Sequence, residues 1–198
     1  MEVIRARHQG QKQIYIHNDL SGAAHHFRAQ IEEKLTTGDH SGIAFEYMAC
    51  LVVLAFTFEA KINFLGHKLI KDWNERQPFN AKVTAVLEHL KITPNKDVRP
   101  FRSVEALKAF RDSIAHGKPI ETSFDEEVVK PADEIDRRID LDGEWKAYCS
   151  HENVFNTYDD VMAIWQQLLT ASGLAIYDTI THGNSGLTFI ERIVEKET

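Results

Sequence analysis

The hexapeptide Arg111-Asp112-Ser113-Ile114-Ala115-His116 holds the side chains best equipped for chemistry in this sequence. At roughly 100° per residue on a helix, Lys108, Asp112 and His116 fall one turn apart on a single face, while Arg111 borders the apolar stripe. Asp112 is then placed to orient the His116 imidazole and hold its proton. A helix C-terminus adds carbonyl partial charge that favours imidazolium by about 0.3–1 kcal/mol when exposed. Such a histidine can serve as general acid or base, and a neighbouring guanidinium can clamp a phosphate bidentately. Together they suit metal-free RNA cleavage: the ribose 2′-OH attacks the adjacent phosphate, the extra negative charge is stabilised, and a 2′,3′-cyclic phosphate is left. Three readings of the motif stay open. They are catalysis, phosphate binding without cleavage, and a structural role in which Arg111 pairs with a carboxylate on another helix while Asp112 and His116 form a capping pair. Glu59 and Asn63, at i and i+4 on an earlier helix, are either buried polar partners of Arg111 or a pair satisfied within the core.

Charge is divided along the chain. The net charge of −7 argues against a broad nucleic-acid surface, since non-specific affinity comes from neutralising phosphates. Yet the stretch from Lys91 to Lys118 has a local balance of +4, and the stretch from Glu121 to Glu144 one of −7, so a basic segment abuts an acidic one. Other chemistries lack their motifs. There is no Gly-rich phosphate loop, no Gly-x-Ser-x-Gly and no Cys-x-x-Cys, which weakens nucleotide hydrolysis, acyl transfer and redox chemistry. Cys50 and Cys149 are the only cysteines and read as free thiols. His25 and His26 point in adjacent directions without a ligand at i+4, so they read as solvated, and no metal or cofactor is expected.

The elements that must position these residues are helical. Asn18 or Asp19 can cap a first helix carrying Leu20, Ala24, Phe27, Ile31 and Leu35 on one stripe to Gly38. Ser41 opens a long helix to Leu69, apolar around most of its circumference, which belongs at the centre of a bundle. Asn80 can cap a third helix with Val83, Val86, Leu87 and Leu90 inward. Ser103 opens a fourth with Val104, Leu107, Phe110 and Ile114 inward, stopped by Gly117 and Pro119. A fifth runs from about Thr157 to Ile180. The expectation is therefore an all-α single domain over 1–198, a four- or five-helix bundle with its core at about 18–182. An acidic insertion at about 118–153 separates the last two core helices. That insertion is too long to be structureless; a short helix from Pro131 through Ile135 and Ile139 is favoured over a hairpin turning at Asp142-Gly143. The apolar residues Leu187, Phe189, Ile190 and Ile193 have no place in this scheme. The run Met48–Phe56 is flanked by Glu46, Glu59 and Lys61 and is too short to span a bilayer, and no secretory signal opens the chain, so a cytoplasmic location away from membranes is expected.

An Arg, a small polar residue and a His five positions after the Arg, near the end of a helix and followed by Gly117-Lys118-Pro119, resemble the signature of the HEPN superfamily. The long helix with Ala55-Phe56-Thr57-Phe58-Glu59-Ala60-Lys61-Ile62-Asn63 is similar to that family's second bundle helix. The resemblance covers about four-fifths of the chain in architecture, through few specific residues. It implies a metal-independent endoribonuclease of toxin or phage-defence type. Such a protein dimerises so that Arg111 and His116 of both copies, with Asp112, face one cleft, and Lys108, Arg102 and Lys118 guide the RNA. A rival implication is a non-catalytic bundle that binds RNA, a nucleotide or a protein such as a cognate antitoxin or a nucleotidyltransferase. Many toxin members carry a Tyr two residues after the His; Lys118 stands there in this chain, which speaks against regulation through that Tyr.

Overall fold

The longest helix organises the molecule. In the computed structural model, which describes residues 3–125, 127, 129–131 and 143–193, the second helix is touched by every other helix. In chain order the elements are β1 (Val3–Gln13), α1 (Ile16–Thr37), α2 (Ile43–Leu69), α3 (Phe79–His89), α4 (Phe101–Ala115), a 3-10 turn (Glu144–Tyr148), α5 (His151–Ser172), a second 3-10 turn (Ile176–Thr179) and β2 (His182–Ile193). The all-α expectation is thus corrected to a mixed architecture: five helices plus a two-stranded antiparallel sheet.

Leu51, Leu54, Phe58, Ile62 and Leu65 of α2 are buried and meet Ile31 of α1, Val86 of α3, Leu107 and Phe110 of α4, and Val161, Ile164 and Leu168 of α5 in one core. Each fully buried aliphatic or aromatic side chain contributes about 1.5–3 kcal/mol. By length and hydropathy alone α2 could cross a membrane. It is not wrapped on all sides, however. Phe45 and Phe56 are exposed, and Ala49, Val52 and Ala60 are half-exposed between and beyond them, every three or four residues along one stripe.

Helix ends follow local chemistry. α1 and α5 stop where Gly38 and Gly173 take the left-handed conformation at φ 73° and 68°, which costs glycine nothing. α1 begins before the expected cap: Asn18 lies inside it, and its side-chain amide donates to the carbonyls of Tyr15 (3.1 Å) and Thr179 (2.9 Å). α5 begins at His151, because the Ser150 hydroxyl accepts from the Asn153 N–H (3.2 Å), and it ends at Gly173 rather than near Ile180. A buried carboxylate, Asp160 of α5, accepts two bonds from Arg99 Nε (3.0 and 2.8 Å) and one from Ser103, lashing the α3–α4 loop to α5.

β1 and β2 pair from Val3↔Ile193 to Gln13↔His182, with a bulge at Ile190 between the Arg5↔Glu191 and Ala6↔Phe189 pairs. Of the acidic link between α4 and α5, the Glu144–Tyr148 turn brings the Tyr148 ring against Phe110 (5.6 Å between centroids). The short helix through Ile135 and Ile139 and the hairpin at Asp142 both fall outside the described residues.

Candidate functional site

α4 forms where its stripe demands: Val104, Leu107 and Phe110 are buried, so Lys108, Arg111 and Asp112 emerge along one border of the helix. There they meet α2 and α3. Arg111 Nη1 donates to Glu59 of α2, while Nε (3.2 Å) and Nη2 (3.0 Å) donate to Asp112 Oδ1. Lys108 Nζ donates to Asp112 Oδ2 at 2.6 Å, and buried Lys82 of α3 donates to the other oxygen of Glu59 and to the Glu75 carbonyl (3.1 Å). The guanidinium lies over the Phe79 ring at 5.6 Å. The result is a five-membered chain of alternating charge, Lys82–Glu59–Arg111–Asp112–Lys108, that joins three helices. The Lys108 ammonium, and after it Arg111, holds the Asp112 carboxyl below its ordinary range.

His116 stands apart from this chain. Its backbone N–H donates to the Asp112 carbonyl (3.0 Å) as it caps α4, and its residue is exposed. The Asp112 carboxylate bonds Lys108 and Arg111 and makes no hydrogen bond to the His116 ring, so the expected orientation of the imidazole by Asp112 is not seen. On an ideal helix Arg111 and His116 are roughly 7.5 Å apart along the axis and about 140° apart around it. Lys118 is exposed beyond the helix end. Arg102 is exposed near the other end of α4, roughly 14 Å from Arg111 along the axis and on the opposite side. One chain therefore gathers Lys108, Arg111, Asp112 and Glu59, and leaves Arg102, His116 and Lys118 outside that cluster.

Asn63 is not a partner of Arg111. Its Oδ1 is buried with no hydrogen bond, one turn beyond Glu59. Glu59 and Asn63 instead share a wall of a cavity of about 620 Å3 between the start of α1, the second half of α2 and the loop after it. Tyr15, His17, Phe64 and Trp73 supply aromatic walls. Lys82, the other partner of Glu59, went unnoticed in the sequence because nothing there distinguishes it from a solvated lysine. Gly66 was the readable signal. A glycine inside an otherwise strong helix marks a close approach, and a Cβ there would fall 2.2 Å from the Trp73 ring.

Other reactive groups are quiet. Burial pushes the Cys50 thiol up to about 12, so it stays protonated at neutral pH. Among the described residues no group of three or more His, Cys, Asp or Glu could hold a metal ion. No protein-family model, curated protein or solved structure matches this chain.

Proposed function

We propose that this protein is a HEPN-like, metal-independent endoribonuclease that works as a homodimer, with His116 as general acid or base and Arg111 as the phosphate clamp. The observation that carries the reading is the exposed stripe on α2. Phe45, Val52 and Phe56 lead along one face to Glu59, the residue that holds Arg111. A second copy seated on that apolar face would draw two Arg111 clusters toward each other, supplying from two chains what one chain does not assemble. Three of the five guanidinium N–H groups of Arg111 are engaged, leaving two for a phosphate oxygen, with Lys108 alongside.

A second reading, a bundle that binds RNA or a partner without cutting, is favoured by one observation. Arg111 already bonds two carboxylates, as a purely structural arginine would. The test is cleavage of an end-labelled RNA pool in excess EDTA by wild type, His116→Ala, Arg111→Lys and Phe45→Glu, with sedimentation of each. The expected result is a dimer yielding 2′,3′-cyclic phosphate ends, about a hundredfold or more slower in His116→Ala, and a monomeric, inactive Phe45→Glu. Wild type that binds RNA but leaves it whole would hand the case to the second reading.

A further inference from the structure

The two faces of the β1–β2 ribbon differ in chemistry. Residues paired directly across an antiparallel ribbon share a face, and successive pairs alternate between faces. The register therefore sets Ile4↔Arg192, Ala6↔Phe189, His8↔Leu187 and Lys12↔Gly183 on one face, and leaves Arg5, Arg7, Gln9, Gln11 and Glu191 on the other. The second is an ordinary solvated face. The first gathers Ile4, Ala6, Leu187 and Phe189 side by side, with Ile4 49%, Leu187 68% and Phe189 58% exposed. Among the described residues no helix packs along either strand to cover them. Single apolar residues on a surface need no explanation, but a contiguous set on one face of an element does.

Charge is sorted in the same way. The two strands hold Arg5, Arg7, Lys12 and Arg192 against Glu191, a balance of +3 in a chain of net charge −7, so the remainder carries −10. Glu191, the one carboxylate of the strands, lies on the solvated face and bonds Arg5 there at 3.1 Å. The apolar patch is thus bracketed by Arg192 toward one end and Lys12 toward the other, with no strand carboxylate on its face. From the root pair Gln13↔His182 to Leu187 is roughly 17 Å of strand. That exceeds the Debye length of about 8 Å at physiological salt, so repulsion from the acidic bundle is largely screened at the patch.

We propose that this face of the ribbon is a peripheral membrane-binding surface. Ile4, Leu187 and Phe189 enter the boundary between headgroups and acyl chains of an anionic bilayer, while Lys12 and Arg192 meet lipid phosphates beside them. A nucleic-acid strand would use the cations and leave the apolar side chains in water. An apolar protein surface would cover those side chains and strand the cations. The interface of an anionic bilayer satisfies both, because long basic side chains reach the headgroup level from an apolar footing. Peripheral attachment of this kind replaces the expected location away from membranes, and it does not depend on whether the protein cuts RNA.

The experiment is flotation of the full chain with vesicles of phosphatidylcholine alone and of phosphatidylcholine with about a third phosphatidylglycerol. Wild type, the double variant Leu187→Ser/Phe189→Ser, Lys12→Gln and Arg7→Gln are compared, with a melting curve and a sedimentation profile for each. Wild type should float with the anionic vesicles, far less with the neutral ones, and should be released as salt rises from about 0.1 M to about 1 M. The double variant should stay behind while melting like wild type, since both side chains are exposed. Lys12→Gln and Arg7→Gln remove the same charge from opposite faces, so the first should weaken binding about fivefold and the second about twofold at most. That contrast holds even if the double variant loosens the ribbon. The proposal falls if wild type does not float with anionic vesicles, if neutral vesicles take it up equally, if the double variant floats like wild type, or if the Lys12 and Arg7 variants lose equally. Wild type that never floats but sediments as a dimer, made monomeric by Leu187→Ser/Phe189→Ser, would overturn it and give the face to a second copy.

Discussion

His17 and Lys61 share the Trp165 ring. The imidazole centroid lies 5.5 Å from it and the ammonium 5.0 Å above it, with Met162 Sδ at 3.5 Å as the hydrogen-bond partner of Lys61 Nζ among the described residues. Both are buried, and neither has a carboxylate partner among the described residues. Desolvation lowers the His17 pKa from 6.5 to about 4 and the Lys61 pKa from 10.5 to about 8. For a base whose folded pKa is depressed, the unfolded chain binds the extra proton between the two values, so stability rises with pH across that window. The free energy of unfolding in urea should therefore climb by about 3 kcal/mol between pH 4 and 6.5, and by a similar amount between pH 8 and 10.5. His17→Leu should flatten the first limb. Lys61→Met should flatten the second and raise stability at pH 7, because a charge without a partner is replaced by an apolar chain of like shape. A wild-type profile flat across both windows would sink this account. Neither residue was legible in the sequence. Lys61 reads there as a flank of an apolar run, and the ring that surrounds it comes from α5, about a hundred residues away.

At the level of elements, the helices were legible because each has an apolar stripe at the helical period; α1 stops at Gly38 and α2 at Leu69 as expected, whereas α5 stops at Gly173, short of the expected Ile180. The caps at Asn18, Ser41, Asn80 and Ser103 were expected on residue type, yet none of these residues caps its helix through its side chain. Packing of the stripe decided those starts. Ser150 does cap, and it lengthens α5 by six residues over the expected start. The pairing of Arg111 with a carboxylate on another helix was one of the open readings, and Glu59 is that carboxylate. The same residue bonds buried Lys82, so removing its charge leaves Lys82 without its carboxylate and Arg111 with Asp112 alone at the junction of α2, α3 and α4. Glu59→Gln should cost about 3 kcal/mol or more. Lys108→Ala, which breaks only a partly exposed i,i+4 pair, should cost under about 1 kcal/mol. Chemical denaturation of the two variants side by side checks this; equal losses would mean that Glu59 is not the tie between the helices.

Across the whole molecule, the sheet is what sequence reasoning could not reach. β1, Val-Ile-Arg-Ala-Arg-His-Gln-Gly-Gln-Lys-Gln, has no sustained alternation of apolar and polar residues, and its partner lies at the other end of the chain. A strand pattern is legible when one face is buried, and here β2 is exposed at every position while β1 is nearly so. The ribbon is about 35 Å long, and among the described residues its two strands pair only with each other. It is rooted where the Tyr15 N–H donates to Thr181 Oγ1 (3.0 Å) and where Asn18 bridges α1 to the Thr179 carbonyl. A two-stranded ribbon is marginal in water without a third strand or a packed face, whereas opening α2 means opening the core. The ribbon should thus unfold locally while the bundle stays intact. In native-state hydrogen exchange, amides of β1 and β2 should be protected at least about a hundredfold less than those at the centre of α2, because they need no global unfolding to exchange. Protection should fall from the Gln13/His182 root toward the Val3/Ile193 end, with a further drop past the bulge at Ile190, where the ladder is interrupted. Ribbon amides as slow as those of Leu54 would contradict this picture, since only a partner laid over Ile4, Leu187 and Phe189 could hold so exposed a ribbon that firmly.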